Sequence, residues 1–314
     1  MNFHHAPNTF VGQVNLKVQH LDRALAFYQQ VIGFKVLEQT EQTANLTADG
    51  KTTLLSLEQP ENVVPKHGRT TGLYHFALLL PNRADLGRIL KHFIQVGYPL
   101  QGASDHLVSE ALYLADPDGN GIEIYADRNS SGWNWNNGEV VMATEPVDAE
   151  SLLTEGQGES WTTLPADTIM GHIHLHVSEL KKTEEFYIQG LGFEVVNRYG
   201  NQALFISTGK YHHHIGLNTW NGVGAPPPPA HSVGLESFTL LLSDEETRNT
   251  VIARLQSIGA AVKEKNGSFV TLDPSGNRIL YECNFRKINR ITYTKYCYKS
   301  YLGYHIAYTI PFKN

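Results

Sequence analysis

The 314-residue sequence predicts an α+β protein made of four βαβββ units arranged as two pairs. An internal repeat is the first observation behind that reading. VGQVNLKV (11–18) aligns with MGHIHLHV (170–177) at a shift of 159, and FYQQVIGF (27–34) falls on FYIQGLGF (186–193) at the same shift. GLYHF (72–76) likewise matches GLESF (234–238), and DPDGNGIEIY (116–125) matches DPSGNRILYE (273–282). The second observation is apolar alternation with period two at the start of each unit, as in Val14, Leu16 and Val18 or Ile173, Leu175 and Val177, which marks a half-buried strand. The third is the amphipathic segment that follows each such strand. Four copies with long joins between them indicate duplication rather than a solenoid.

Taken in order, the first unit opens with a strand over 11–18 and continues with a helix over LDRALAFYQQVI (21–32), whose Phe-Tyr pair faces inward. A Gly follows, then short strands within KVLEQTE, ANLTAD and TTLLSLE. Unit two repeats the order with strand LYHFALLL, helix DLGRILKHFIQVG (85–97) and strands around ALYLAD and GIEIYAD. Unit three has strand IHLHV, helix ELKKTEEFYIQGL (179–191) and the segment YHHHIGLN. Unit four reads SFTLLLS, helix DEETRNTVIARLQSIG, then SFVTLDP and RILYEC. The repeat places a first domain at 9–128, a linker at 129–168 and a second domain at 169–285. That linker is rich in Ser, Gly, Asn, Asp and Glu and poor in aliphatics. The Pro run at 226–229 stiffens the crossing between units three and four. The tail at 286–314 has no counterpart in the first half and is assigned no chemistry.

Composition excludes several classes. The net charge of −6 comes without any basic run of the kind that marks nucleic-acid binding. The longest apolar stretches, such as FALLL (76–80), are far too short to cross a bilayer. MNFHHAPNTF lacks the apolar core of an export signal, and Cys283 and Cys297 make no disulfide framework. The expectation is a cytoplasmic protein with no nucleic-acid or membrane partner, with a homo-oligomer left open.

The two halves are degenerate in complementary places. Where the first has Gln13, His75 and Glu123, the second has His172, Ser237 and Leu280. Only His75 and Glu123 joined by His172 make two imidazoles and one carboxylate, the ligand set of a facial triad. Alternate residues of a strand share a face, so His172, His174 and His176 line one side, matched by Gln13, Asn15 and Lys17 in unit one. Closing the site requires unit two to pair with unit three, leaving units one and four as the degenerate pair. Gln13, His75 and Glu123 remain an alternative triad, because a glutamine also ligates. For a lone His a packing role is the better reading; three ligand types in register with a repeat favour a metal.

The paired βαβββ units, LGF after a first helix and DPDGNGIE before the last carboxylate resemble the vicinal oxygen chelate superfamily. Within it, KYHHHIGLNTW (210–220), APPPP, GLYHFA and ASDHLVSEALYLADPDGNGIEIYADR resemble two-domain catechol 2,3-dioxygenases over roughly residues 9–285. The resemblance implies two curled mixed sheets, each cupping a cavity. It also implies extradiol cleavage of a catechol or substituted catechol by dioxygen on Fe(II), with Mn(II) as the other metal this triad accepts. The proton chemistry needs a group that titrates near working pH. Parity in YHHHIGLN turns His212 and His214 away from the packed Ile215 and Leu217, and the resemblance also falls on His214 as the acid–base residue. His106 and Tyr113 lie between His75 and Glu123, as a hydrogen-bonding His and Tyr do in that family. A packing or capping role is the alternative for each.

Other features read as structural. DPDGN and DPSGN are turn signals and persist in unit four, where Leu280 replaces the acid. Asn218 and Trp220 reach for the pocket rim, Trp133 and Trp135 for a cavity mouth, and His4 and His5 read as solvated terminal residues. Two further functions suit the scaffold. A glyoxalase-type lyase or isomerase would need a fourth protein ligand, typically Glu, where this chain has His214. A non-catalytic binding protein would lack the metal. Dioxygen consumption and metal content separate the three.

Overall fold

A computed structural model describes residues 3–265 and 268–283; the 286–314 tail lies outside the described residues. Unit one comprises β1 (Phe10–Lys17), α1 (Leu21–Phe27), β2 (Lys35–Gln39), β3 (Thr43–Thr47) and β4 (Leu55–Glu58). Unit two comprises β5 (Gly72–Leu79), α2 (Arg83–Val96), β6 (Gly102–Asp105), β7 (Ser109–Ala115) and β8 (Gly121–Asp127). The connection carries β9 (Trp135–Asn136), β10 (Glu139–Val140), β11 (Glu145–Pro146) and α3 (Ala149–Glu155). Unit three has β12 (Ile169–His176), α4 (Leu180–Glu185), β13 (Glu194–Tyr199), β14 (Ala203–Ser207) and β15 (Ile215–Asn218). Unit four has β16 (Gly234–Leu242), α5 (Glu245–Ser257), β17 (Val262–Lys265), β18 (Ser268–Leu272) and β19 (Arg278–Cys283).

The units pair across the halves. An eight-stranded sheet runs β17-β18-β19-β16-β1-β4-β3-β2, joining units four and one. A nine-stranded sheet runs β11-β6-β7-β8-β5-β12-β15-β14-β13, joining units two and three. Each seam is antiparallel, β1 on β16 and β12 on β5, and carries β-bulges that raise the local twist. The packed side of both sheets is aliphatic, with Val14, Leu16, Ile173 and Leu175 essentially inaccessible in one continuous core.

Contacts within a half have a different origin. α1 and α4 each end in a π turn, at Tyr28–Ile32 and Phe186–Gly190. That turn holds a buried tyrosine hydroxyl over the DPxGN turn of the neighbouring unit. Tyr28 donates to Asp116 Oδ2 at 2.9 Å, and Tyr187 donates to Asp273 Oδ2 at 3.2 Å. Each aspartate also accepts from the Asn that ends its turn, Asn120 or Asn277, through both backbone and side-chain N–H. The turns survive without a nearby carboxylate ligand because they clamp helix to sheet.

One expectation, a solvated His4, needs correction, and the 129–168 linker packs closely: Leu152 is buried, and Gly87 lies so near the Leu152 carbonyl that a Cβ there would come within 2.1 Å. β11 also extends the edge of the nine-stranded sheet on β6. The N-terminus is likewise drawn in. His4 Nε2 lies 2.7 Å from the Gly171 carbonyl, whereas His5 is exposed. No helix among the described residues is long and apolar enough to cross a membrane.

Candidate metal centre

The cross-half seam brings the complementary residues together. His172 on β12 sits opposite Ala77 on β5, and Ala77 sits opposite Glu123 on β8, so a small residue stands between two candidate ligands. One step along, His174 is opposite His75. Ligand atoms of His75, Glu123 and His172 all lie within 4.8 Å of one another, and all three side chains are buried. Nε2 of His75 and of His172 are 3.0 and 3.1 Å from the same Glu123 Oε2.

Adjacent donors on an octahedral ion with bonds near 2.1 Å are about 3 Å apart, which is the spacing observed. Although His75 Nε2 lies this close to the carboxylate, it has no aligned hydrogen-bond partner. Two buried nitrogens and an oxygen converging on one point are suited to a divalent cation. Burial alone would raise the Glu123 carboxyl, but His172 and His75 beside it hold it well below the usual range. Burial drives His172 down to about 4, against an opposing pull from Glu123. The carboxylate is thus ionised and His172 neutral, the forms a metal requires.

The walls are polar at one end and aromatic at the other. The Tyr113 hydroxyl lies 2.6 Å from His106 Nε2, and His106 Nδ1 lies 2.7 Å from the Ala143 carbonyl. A carbonyl only accepts, so His106 carries its proton on Nδ1, and Tyr113 donates to Nε2. The His75 and Tyr113 rings are 5.7 Å apart. Burial, then Glu123, pushes the Tyr113 phenol well above its ordinary range.

On the opposite side the 211–214 segment precedes β15 and follows no strand parity. The His213 ring is the one that meets His172, at 4.1 Å between centroids. His214 packs instead against Tyr211 and His4, at 4.9 and 5.1 Å. His213 Nδ1 is 2.8 Å from His212 Nδ1, and His212 Nε2 is 2.9 Å from Asp127 Oδ1. With a carboxylate at its end, the chain is fixed in sense: His212 donates to Asp127 and His213 donates to His212. His213 Nε2 is left as an acceptor. Asp127 itself borders a cleft of about 570 Å³ that also touches Phe3, His4, Asp49 and Asp167.

Phe3, Trp133, Val140 and Tyr211 form a small apolar cluster beside these histidines. Trp133 packs at 5.3 Å from His212, while Trp135 is exposed. At the other end Tyr74 and Trp220 are 5.2 Å apart and lie 5.0 and 5.3 Å from His174. Gly216 makes room for His174, since a Cβ there would sit 2.7 Å from its ring. The Asp127–His212–His213 chain has no motif spacing and was missed; only the excess of adjacent histidines hints at it.

Two βαβββ pairs and a buried His-Glu-His group define a class. The model of the glyoxalase/bleomycin resistance protein/dioxygenase superfamily matches residues 10–124 and again 169–281, and the chain belongs to that family. It is also 50% identical over 270 residues to a catechol-2,3-dioxygenase of Bacillus subtilis (strain 168), covering 85% of this chain and 94% of that one. Among solved structures, a Bacillus subtilis protein superposes with TM-score 0.61 at 15% identity, over 87% of this chain and 84% of that one. Glyoxalase I from Zea mays does so with TM-score 0.55 at 14% identity, over 87% and 92%. These two likenesses concern the fold.

Proposed function

We propose that the chain is an Fe(II)-dependent extradiol dioxygenase that opens catechol or a substituted catechol beside its two hydroxyls, with Mn(II) as the alternative metal. The observation that carries this reading is the buried group His75, Glu123 and His172, with no fourth His, Cys, Asp or Glu completing it among the described residues. Three protein ligands leave an open face, whereas the glyoxalase-type alternative needs a fourth. The similarity to a catechol-2,3-dioxygenase supports the same choice.

His75, Glu123 and His172 would hold the metal, which supplies adjacent positions for two vicinal oxygens and dioxygen. Tyr113 and His106 form one proton path. A catechol hydroxyl would give its proton to the Tyr113 oxygen as the Tyr113 proton passes to His106 Nε2, and the imidazolium so formed keeps its Nδ1–H on the Ala143 carbonyl. The second path is His213. Its ring lies 4.1 Å from that of His172 and its Nε2 is the acceptor, so it takes a proton from substrate and returns it later, a step worth roughly 10²–10⁴ in rate. Asp127 and His212 hold that imidazole in the required tautomer. His214, the residue that parity favours, packs against Tyr211 and His4.

The test is anaerobic loading with Fe(II), then catechol and air, with oxygen uptake and near-visible absorbance followed together. One oxygen consumed per ring opened, with a yellow semialdehyde product, is the expected result. Tightly bound metal with no oxygen uptake would overturn it in favour of lyase or isomerase chemistry. Absence of both would leave a binding protein.

A further inference from the structure

One strand step outward from the His75–His174 row, the same concave face carries a second polar cluster. His176 pairs with Asn218 on one side and Gly72 on the other. Its Nδ1 donates to Asn218 Oδ1 at 2.7 Å, and the Trp220 backbone N–H donates to the same oxygen at 3.0 Å. These two donors fix the orientation of the amide. Asn218 is fully buried, yet its Nδ2 finds no partner among the described residues. An unmet buried donor is costly unless something arrives to accept from it.

A cation sits at the same end. Lys66, in the connection between units one and two, is half-buried, and its Nζ reaches only the Leu73 carbonyl, at a long 3.4 Å. Leu73 neighbours Leu175, next to His176. No carboxylate pairs with Lys66 among the described residues, although the chain as a whole is acidic. Burial alone pushes its amine down, and its charge is felt at His176. Between this cluster and the metal ligands stand the Tyr74, His174 and Trp220 rings, each about 5 Å from the next. Two residues of strand span ~6.6 Å, comparable to an aromatic ring with one substituent. A catechol whose hydroxyls face His75, Glu123 and His172 would lie along the aromatic wall and present its far edge to Lys66 and Asn218.

We infer that Lys66 and Asn218 form a subsite for a carboxylate carried on the substrate ring, so that the preferred substrate is a carboxylated catechol. Lys66 Nζ supplies the counter-charge, and Asn218 Nδ2 supplies a neutral donor that His176 aims. Charge-assisted bonds of this kind are shorter and roughly twice as strong as neutral ones. The inference rests on the ring-cleavage reading and narrows it.

The test compares 3,4-dihydroxybenzoate with 4-methylcatechol on Fe(II)-loaded protein. Affinity is read without air from tryptophan fluorescence, and kcat/KM from oxygen uptake. The carboxylate is expected to bind about tenfold more tightly or better, an advantage that Lys66→Met abolishes and Lys66→Arg restores in part. Equal affinity for the two rings, or an advantage that persists in Lys66→Met, would overturn the subsite. Cleavage of both rings with no preference sinks the subsite and keeps the dioxygenase. A Lys66-dependent affinity without oxygen uptake keeps the subsite and sinks the dioxygenase.

Discussion

The two sheets have the same register at their seams and opposite chemistry on their concave faces. In the nine-stranded sheet His172 faces Ala77, Ala77 faces Glu123, and His174 faces His75. In the eight-stranded sheet Gln13 faces Thr239, Thr239 faces Leu280, and Asn15 faces Ser237, position for position. There, Gln13 Nε2 donates to Asn15 Oδ1 and Ser56 Oγ at 2.7 and 2.9 Å, and Asn15 Nδ2 donates to Ser237 Oγ at 2.9 Å. One cup holds neutral groups that satisfy one another; the other holds two imidazoles that converge on one carboxylate oxygen, with His75 Nε2 left without an aligned hydrogen-bond partner. The backbone is indifferent to which occurs, so the chemistry resides in a few side chains.

The largest effect should come from removing the ligand that crosses the seam. His172→Ala is expected to lose bound metal by atomic analysis and ring cleavage by oxygen uptake, while Gln13→Ala keeps both. Equal loss in Gln13→Ala would make the two cups functionally alike and remove the contrast. The converse experiment builds the missing site. Gln13→His, Ser237→His, Leu280→Glu and Thr239→Ala together should raise metal content from one equivalent to two, and a count that stays at one would show that more than ligands has been lost.

Next in size is the imidazole beside the metal ligands. His213→Gln should lower kcat by roughly 10²–10⁴ with metal content retained. Asp127→Asn, which unsettles the tautomer through His212, should have a smaller effect and shift the pH–rate profile. If His214→Gln proves the more damaging of the two neighbours, the assignment moves back to the residue chosen from parity.

A pH titration of the chelated protein sharpens the same comparison. Burial holds His4, His172 and His176 down to about 4, and holds His174, His213 and His214 well below their ordinary value. In the unfolded chain such groups titrate near 6.5, so below that pH the unfolded state binds more protons and stability falls. The loss should build from about pH 6.5 to 4, visible as a falling thermal midpoint. Glu123, with its lowered carboxyl, acts in the same direction at the acid end. A flat profile would mean that the imidazoles are not desolvated. The smallest effect concerns what the halves share: Tyr28→Phe and Tyr187→Phe each remove a hydrogen bond to a buried aspartate and should each cost about 1.5–3 kcal/mol in denaturant unfolding.

Much of this organisation was legible because duplication leaves an internal standard. Aligning Gln13 with His172, and Leu280 with Glu123, showed which positions had diverged, and completing a ligand set required unit two to meet unit three. His106 and Tyr113 stand out in the sequence from their place between two candidate ligands, and their side chains meet at 2.6 Å. The histidines at 212–214 were not. Parity assumes a strand, and the chain reaches strand geometry only at Ile215, after a bend that turns His213 over the metal ligands. The π turns were invisible for a related reason: Tyr28 and Tyr187 show helical periodicity, and only their bonds to Asp116 and Asp273 select the extra residue per turn. His4 lacked any local signal, since its partner Gly171 is distant in sequence.

Hydrogen-bonded strands connect units across the halves, while the tyrosine–aspartate clamps connect units within each half. Either half alone would expose both of its seam strands, β1 and β5 in one case and β12 and β16 in the other. The duplicated halves are therefore obligate complements, like the two subunits of a heterodimer that share one polypeptide. With His75 and Glu123 in one half and His172 in the other, neither half alone could assemble the proposed ligand set.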